Sequence, residues 1–295
     1  MSETQGSQPS NPNTAIRRAL LWWFQSPAAA HVSFNFAVDF SASRAYLDRL
    51  AQGPGPRVTV QHLLAAAVGR SLREFPLANA QIVRNRIVMR DRVGVAMPVN
   101  LLGHAGGKQR ELGLALIEDA GGRSLREVAG SGASAVREER EGKGTNPLVK
   151  AMVRLAEGLP QPAFFGVMDL FERAREAPGL SGMIHRAAPA TTLLSNAGAP
   201  FSAVPGMLFR GASLSPPPRL AHAGTVWGCS TVQDEAIVLD GQVCVRPMLP
   251  MVLIFDHRLI DGVAAGRLAV RFASILKAPA EEFGHDGGAP PTSTG

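Results

Sequence analysis

Two cysteines, Cys229 and Cys244, stand in a chain of 295 residues. They are too few for a disulfide framework, so a reduced, cytoplasmic setting is the default expectation. No apolar run approaches the roughly 18 residues that cross a bilayer, and no membrane span is expected. The first fourteen residues, MSETQGSQPSNPNT, have neither a basic start nor an apolar stretch and do not read as a secretion signal. Residues 1–14 and 279–295 read as flexible tails. Lysine is scarce as well: among 30 basic residues only Lys108, Lys143, Lys150 and Lys277 are lysine. The arginines scatter among acids, as in REEREGK at 137–143, rather than forming a basic stripe with aromatics between. A nucleic-acid binder is therefore excluded despite the net charge of +6, although a mildly positive surface would help to draw in an anionic substrate.

Several site types are missing too. His31, His62, His104, His185, His222 and His285 show no ligand spacing with cysteine or carboxylate, so no metal is expected. The GHAGG segment at 103–107 lacks the lysine-serine ending of a phosphate loop and reads as a turn. No G-x-S-x-G elbow is present, which argues against a Ser-His-Asp hydrolase.

What is present is a regular alternation of elements. AIRRALLWWFQ at 15–25 has an apolar face at helical spacing, and HVSFNFAVDF at 31–40 alternates like a strand. SASRAYLDRLAQG at 41–53 opens with a serine cap and closes on Gly53, as a helix would. VTVQHLLAAAVGRSLREF is strongly periodic and stops at Pro76. RNRIVMRDRVGVAMPVNL reads as a hairpin, ELGLALIED as a strand and SLREVAGSGASAVREERE as a helix. NPLVKAMVRLAEGL is amphipathic, and FFGVMDLFERAREAPGLSGMIHR predicts one or two further helices. TTLLSNAG reads as a buried strand, 199–222 as loop, and AIVLDGQVCVR as a hairpin on an Asp-Gly turn. PMLPMVLIF is a strand and 261–277 a closing helix. The pattern predicts one mixed α/β (α+β) domain built on a large antiparallel or mixed sheet.

The chemistry concentrates at residues 252–262. The apolar strand VLIF ends at Phe255, and Asp261-Gly262 begins a helix, so His257 falls on the connection between them. A scaffold-fixed loop suits a reactive group, and imidazole can take a proton from a thiol or hydroxyl near neutral pH. The spacing alone also fits a structural histidine. Asp261 could cap the helix, act through an arginine, or contact His257.

The stretch PMLPMVLIFDHRLIDG at 247–262 resembles the signature of dihydrolipoamide acyltransferases, the core subunits of 2-oxoacid dehydrogenase complexes, to which chloramphenicol acetyltransferase is related. AIVLDGQVCVRPM resembles the hairpin that precedes that signature, and Leu194-Ser195-Asn196-Ala197-Gly198 resembles the family's I-S-N-L-G strand end. VTVQHLLAAAVGRSLREFPLANAQIV, IRRALLWWFQSPAAAHVSFNFAVDF and SLREVA resemble further family segments in the same order. The resemblance implies a chloramphenicol acetyltransferase-like mixed sheet with flanking helices over 15–278. It implies His257 as general base and Ser195 as a donor to the oxyanion. Asp261 would pair with an arginine of the opening helix, for which Arg17 and Arg18 are the nearest candidates. That helix is one residue out of step, and Trp22 and Trp23 stand where the family has later arginines. Coenzyme A, as acyl-CoA, would be one substrate. The assembly would be a homotrimer whose sites lie between chains, with histidine and serine from different copies. The residues that would bind coenzyme A are not legible.

Three departures qualify the resemblance. No lipoyl domain or small subunit-binding domain is legible, so a lipoyl domain would act in trans if it acts at all. Leu114-Ala115-Leu116-Ile117 replaces a proline-rich strand of the family. Residues 144–190 read as an insertion carrying Met152, Leu155, Phe164, Phe165, Phe171 and Met183, which either reshapes the acceptor end or packs as an extra layer. The expected function is acyl transfer between coenzyme A and a thiol, hydroxyl or amine acceptor. The alternatives are a transferase using lipoyl groups supplied in trans and a non-catalytic trimeric scaffold.

Overall fold

A computed structural model describes residues 15, 30–83, 86–101, 112–144, 147–175, 190–198, 204, 207–212 and 222–290. Nine strands are described: β1 (His31–Asp39), β2 (Gln81–Val83), β3 (Arg86–Val88), β4 (Val95–Asn100), β5 (Leu112–Ile117), β6 (Thr192–Asn196), β7 (Thr225–Cys229), β8 (Gln233–Leu239) and β9 (Gln242–Asp256). The helices are α1 (Ser41–Gln52), α2 (Val60–Glu74), α3 (Leu125–Arg140), α4 (Pro147–Gly158), α5 (Gln161–Arg175), α6 (Gly262–Lys277) and α7 (Pro279–Phe283). The main sheet has the order β1-β9-β7-β6-β4-β5, with β8 hydrogen-bonded to β9. It is mixed: β6 runs parallel to β4 and β7, and every other pair is antiparallel. The expected α/β (α+β) class, a large mixed sheet with flanking helices, is the observed one.

Alternation along the strands sorts side chains to two faces. Leu194, Trp227, Cys229, Met251, Leu253 and Phe255 join the main core with the helices. There Trp227 and Phe272 of α6 stack with centroids 4.8 Å apart. Leu193, Val226, Val252 and Ile254 form a separate buried cluster. Ser195 shares the parity of Leu193, which assigns it to that second face.

Local chemistry accounts for several boundaries. Helix α2 begins at Thr59, whose hydroxyl accepts from the His62 amide while Nδ1 of His62 accepts from the Thr59 amide. Ser124 and Glu127 make the equivalent box on α3. Between β8 and β9, Asp240 and Gly241 both take positive φ (48° and 76°), the primed turn that matches strand twist. Gly69 is required by contact: a Cβ there would lie 2.5 Å from Gly121 N and 2.6 Å from Ala120 C.

Three expectations need correction. The segment 84–101 is not one hairpin; β3 pairs with β2 in a separate two-stranded sheet, whereas β4 joins β5 and β6. Helix α1 is not capped by Ser41, because Phe40 holds the cap position and the Ser41 hydroxyl donates to Asp39 Oδ1 at 2.6 Å. The helix does close on Gly53, as expected, with that residue in extended backbone (φ −93°). Of the C-terminal segment expected as a flexible tail, residues 279–290 instead pack on the core through α7. Phe283 is fully buried with the Arg70 guanidinium 5.5 Å over its ring, Tyr46 donates to Gly284 O at 2.7 Å, and Glu282 pairs with Arg271 at 2.6 Å.

Within the expected insertion, α4 and α5 bury Met152, Ala156, Phe164 and Met168 in a cluster of their own, apart from the main core. Leu155 and Phe165 pack against it, Phe171 is half-buried, and Met183 lies outside the described residues. The tail 1–14, the opening helix beyond Ala15, the segment 103–107 and residues 291–295 also lie outside them. No described helix is long and apolar enough to cross a membrane.

Candidate active site

Strand β9 delivers the candidate base. Its last residues are pinned on one side by β1, with His31 opposite Asp256, and on the other by β7, with Thr225 opposite Phe255. The chain then turns over 257–260 into α6. His257 is exposed, and its amide donates to Ala30 O at 2.9 Å. Its ring lies 6.1 Å from that of Phe255. The backbone is therefore held while the imidazole faces outward.

Asp256, just before it, is fully buried. Its main-chain oxygen accepts from the Leu259 and Ile260 amides, at 2.9 and 3.3 Å. Its carboxylate accepts from the Arg258 amide (2.9 Å), from Arg258 Nε and Nη2 (2.9 and 2.6 Å) and from His222 Nε2 (2.7 Å). Burial alone would raise its pKa. The hydrogen bonds from His222 and Arg258 outweigh burial and hold the carboxyl well below the usual carboxylate range.

Asp261 caps α6: it is exposed, has extended backbone (φ −85°, ψ 176°), and accepts from the Ala264 amide at 2.8 Å. Of the three roles open to it, capping is the one observed among described residues. Arg17 and Arg18 lie outside the described residues.

Ser195 lies on β6 and is half-buried. Beyond it the strand ends in an Asn196 turn, whose Oδ1 accepts from the Gly198 amide at 2.9 Å. A Cβ on Gly198 would lie 2.2 Å from Thr231 N, so that crossing needs glycine. Ser195 is level with Gly228 on β7 and, through it, with Val252 on β9. His257 stands five residues beyond Val252. The offset is about 17 Å along the strands and about 10 Å across two strand spacings, so roughly 20 Å separates the two positions. One chain does not bring Ser195 and His257 together.

Two open clefts among the described residues lie elsewhere. One, of about 460 Å³, is lined by His62, Ala133, Val136, Arg137, Arg140 and Glu141. The other, of about 410 Å³, is lined by Met89 to Arg92, Gly94, Glu118 and Asp119. Burial pushes the Cys229 thiol up to about 11, so it is not poised for nucleophilic work, and the His62 Nδ1 is taken up by the Thr59 amide at the start of α2. Among the described residues no group of three histidines, cysteines or carboxylates could hold a metal.

Sequence reasoning passed over two members of this site. Asp256 lies inside FDHRLIDG and could have been found from its place beside His257. His222 lies in a Pro/Gly-rich stretch with no local signal, and only the fold brings it to Asp256.

Residues 220–283 match the family model for 2-oxoacid dehydrogenases acyltransferase (catalytic domain). The chain is 26% identical over 259 residues to a dihydrolipoyllysine-residue succinyltransferase component of the 2-oxoglutarate dehydrogenase complex from Bartonella vinsonii, covering 86% of this chain and 49% of that protein. A Bos taurus mitochondrial counterpart is 39% identical over 92 residues, covering 31% of this chain and 17% of that protein. This chain thus spans about half the length of the first curated relative. In fold it is similar to an Azotobacter vinelandii dihydrolipoamide acetyltransferase, studied for the roles of a serine, a histidine and an asparagine in catalysis (TM-score 0.61, 20% identity, 95% of this chain and 98% of that one). It is also similar to the cubic core of the pyruvate dehydrogenase multienzyme complex (TM-score 0.60, 21% identity, 94% of both chains).

Proposed function

We propose that this chain, an acyltransferase catalytic domain of the 2-oxoacid dehydrogenase type, transfers an acyl group between coenzyme A and a thiol, hydroxyl or amine acceptor, with His257 as general base. The observation that carries the reading is the His257 turn. Two strands pin its backbone and a buried carboxylate organises it, while the imidazole itself is exposed.

With an acceptor thiol the step balances as follows. His257 takes the thiol proton as the sulfur attacks the thioester carbonyl. The carbonyl oxygen becomes an oxyanion, to which the Ser195 hydroxyl donates a hydrogen bond, a contribution of about 3 kcal/mol where it applies. The tetrahedral intermediate collapses, the bond to the coenzyme A sulfur breaks, and the leaving thiolate receives the proton from His257. Asp261 serves the turn by capping α6.

The distance between Ser195 and His257 supports a complete site shared by two copies of the chain, and the assembly proposed is a homotrimer. Exposed apolar surface on the β8–β9 hairpin supports assembly. Ala236, Val238, Val243 and Val245 share one face of it, with Val238 opposite Val243 and Ala236 opposite Val245. Val238, Val243 and Val245 are 67%, 75% and 68% exposed in the single chain, a patch that a neighbour would cover. The curated relatives are named for action on dihydrolipoyllysine residues, so a dihydrolipoyl group supplied in trans is the first acceptor to test. Helices α4 and α5, which precede the Ser195 strand, would tune acceptor choice at that end.

The test is thiol release from a panel of acyl-coenzyme A donors, with and without dihydrolipoamide, for wild type and His257→Ala. Acceptor-dependent release that falls at least ~100-fold in the variant supports the reading. A wild type that turns over no donor leaves the scaffold alternative standing.

A further inference from the structure

The turn that presents His257 is tied to the rest of the fold by a residue 34 positions before Asp256 in the chain. His222 joins two parts of the structure through one ring. Its Nδ1 accepts from the Ile82 amide of β2 at 3.2 Å. A ring nitrogen that accepts an N–H bears no proton, so the proton sits on Nε2, which donates to Asp256 Oδ2 at 2.7 Å. The His222 carbonyl accepts from Gln81 Nε2 at 2.9 Å. Two residues on, a Cβ at Gly224 would lie 2.6 Å from Ala78 O and 3.0 Å from Leu259 Cδ1, and Gly224 O accepts from the Asp256 amide at 3.0 Å. The segment 222–224 is therefore clamped between residues 78–82 and the 256–260 turn.

The donors to Asp256 differ in what they are attached to. The Arg258 amide, Nε and Nη2 belong to the turn itself, and the Arg258 side chain is 54% exposed. Those contacts travel with the turn and cannot fix it in space. His222, 13% exposed and anchored on β2, is the side-chain donor that comes from the frame.

We infer that His222 is a positioning residue for acyl transfer. It fixes the rotation of the Asp256 carboxylate and, through the Asp256–Arg258 turn, the place of the His257 imidazole. The inference rests on His257 being the base. A base displaced by about 1 Å can lose on the order of 100-fold in rate, and partners one step removed from a reacting group typically carry about 10–100-fold.

The experiment uses the full chain and acyl-coenzyme A turnover, comparing His222→Leu, His222→Gln and His257→Ala with wild type. Leucine removes the donor, whereas glutamine can place an amide N–H near the Nε2 position. His222→Leu is expected to lower kcat about 10-fold or more while KM for the acyl donor stays within about 2-fold, and His222→Gln to recover most of kcat. Equal kcat in wild type and His222→Leu, or equal losses in the leucine and glutamine variants, would overturn the inference. Should His222→Leu fail to fold, ¹⁵N NMR of the wild-type imidazoles and the kcat of His222→Gln decide. The Nε2–H tautomer with near-wild-type kcat is expected, and the Nδ1–H tautomer refutes it. A wild type inert with every donor overturns the base assignment and this inference together. An active wild type with an indifferent His222 overturns only the latter.

Discussion

Mixing two dead variants should revive activity. Ser195 and His257 lie roughly 20 Å apart in one chain, a gap set by five residues of strand rise and two strand spacings. No side chains bridge that distance to one reacting carbon. If catalysis draws the serine from one copy and the histidine from its neighbour, Ser195→Ala and His257→Ala damage different halves of each site. The serine variant alone should keep about 1% of activity, and the histidine variant that much or less. In oligomers assembled at random from equal amounts, a site works when its histidine comes from a Ser195→Ala copy and its serine from a His257→Ala copy. Each condition holds for half of the copies, so about a quarter of the sites are intact. Co-expression of the two variants, purification through a tag common to both and acyl-coenzyme A turnover should therefore yield at least about 25-fold more activity than either variant alone. Activity that stays at the sum of the parents, in oligomers shown to be mixed, would refute a shared site.

Other expectations follow from single features. Val243→Asp places a charge in the exposed apolar face of the β8–β9 hairpin, and light scattering should show a shift towards monomer together with loss of turnover. Gly69→Ala sets two effects against each other: helix propensity gains about 1 kcal/mol, but the new Cβ would meet main-chain atoms of Ala120 and Gly121. Packing should win, and urea unfolding should show a net loss above about 1 kcal/mol. Phe283→Ala empties a fully buried site and should destabilise by about 3 kcal/mol, whereas a mobile tail would give no change in the melting temperature. The depressed pKa of Asp256 means that its carboxylate contributes stability above the unfolded-state value of about 3.9, and that this is lost as pH falls towards the folded-state value. The gap in stability between wild type and Asp256→Asn should therefore shrink as pH is lowered from about 5, and a gap that widens would contradict the assignment.

Much of this molecule is legible along the chain, because caps, turns and periodicity act over a few residues. The α2 pattern, the Asp240-Gly241 turn, the strand into Phe255 and the place of His257 between strand and helix all follow from neighbours in sequence. So does the family resemblance, since its densest part is one contiguous segment. Pairing between distant segments is not written that way. An alternating segment states which face it buries but not which strand lies beside it, and so β3 pairs with β2 while β4 enters the main sheet. Polar composition at the C-terminus suggested a tail, yet a single aromatic, Phe283, finds a buried site there. The Asp256–His222 bond depends on packing that no local pattern records. The separation of Ser195 from His257 likewise comes from strand order and register, which a reading along the chain cannot supply because both depend on which distant strands lie side by side.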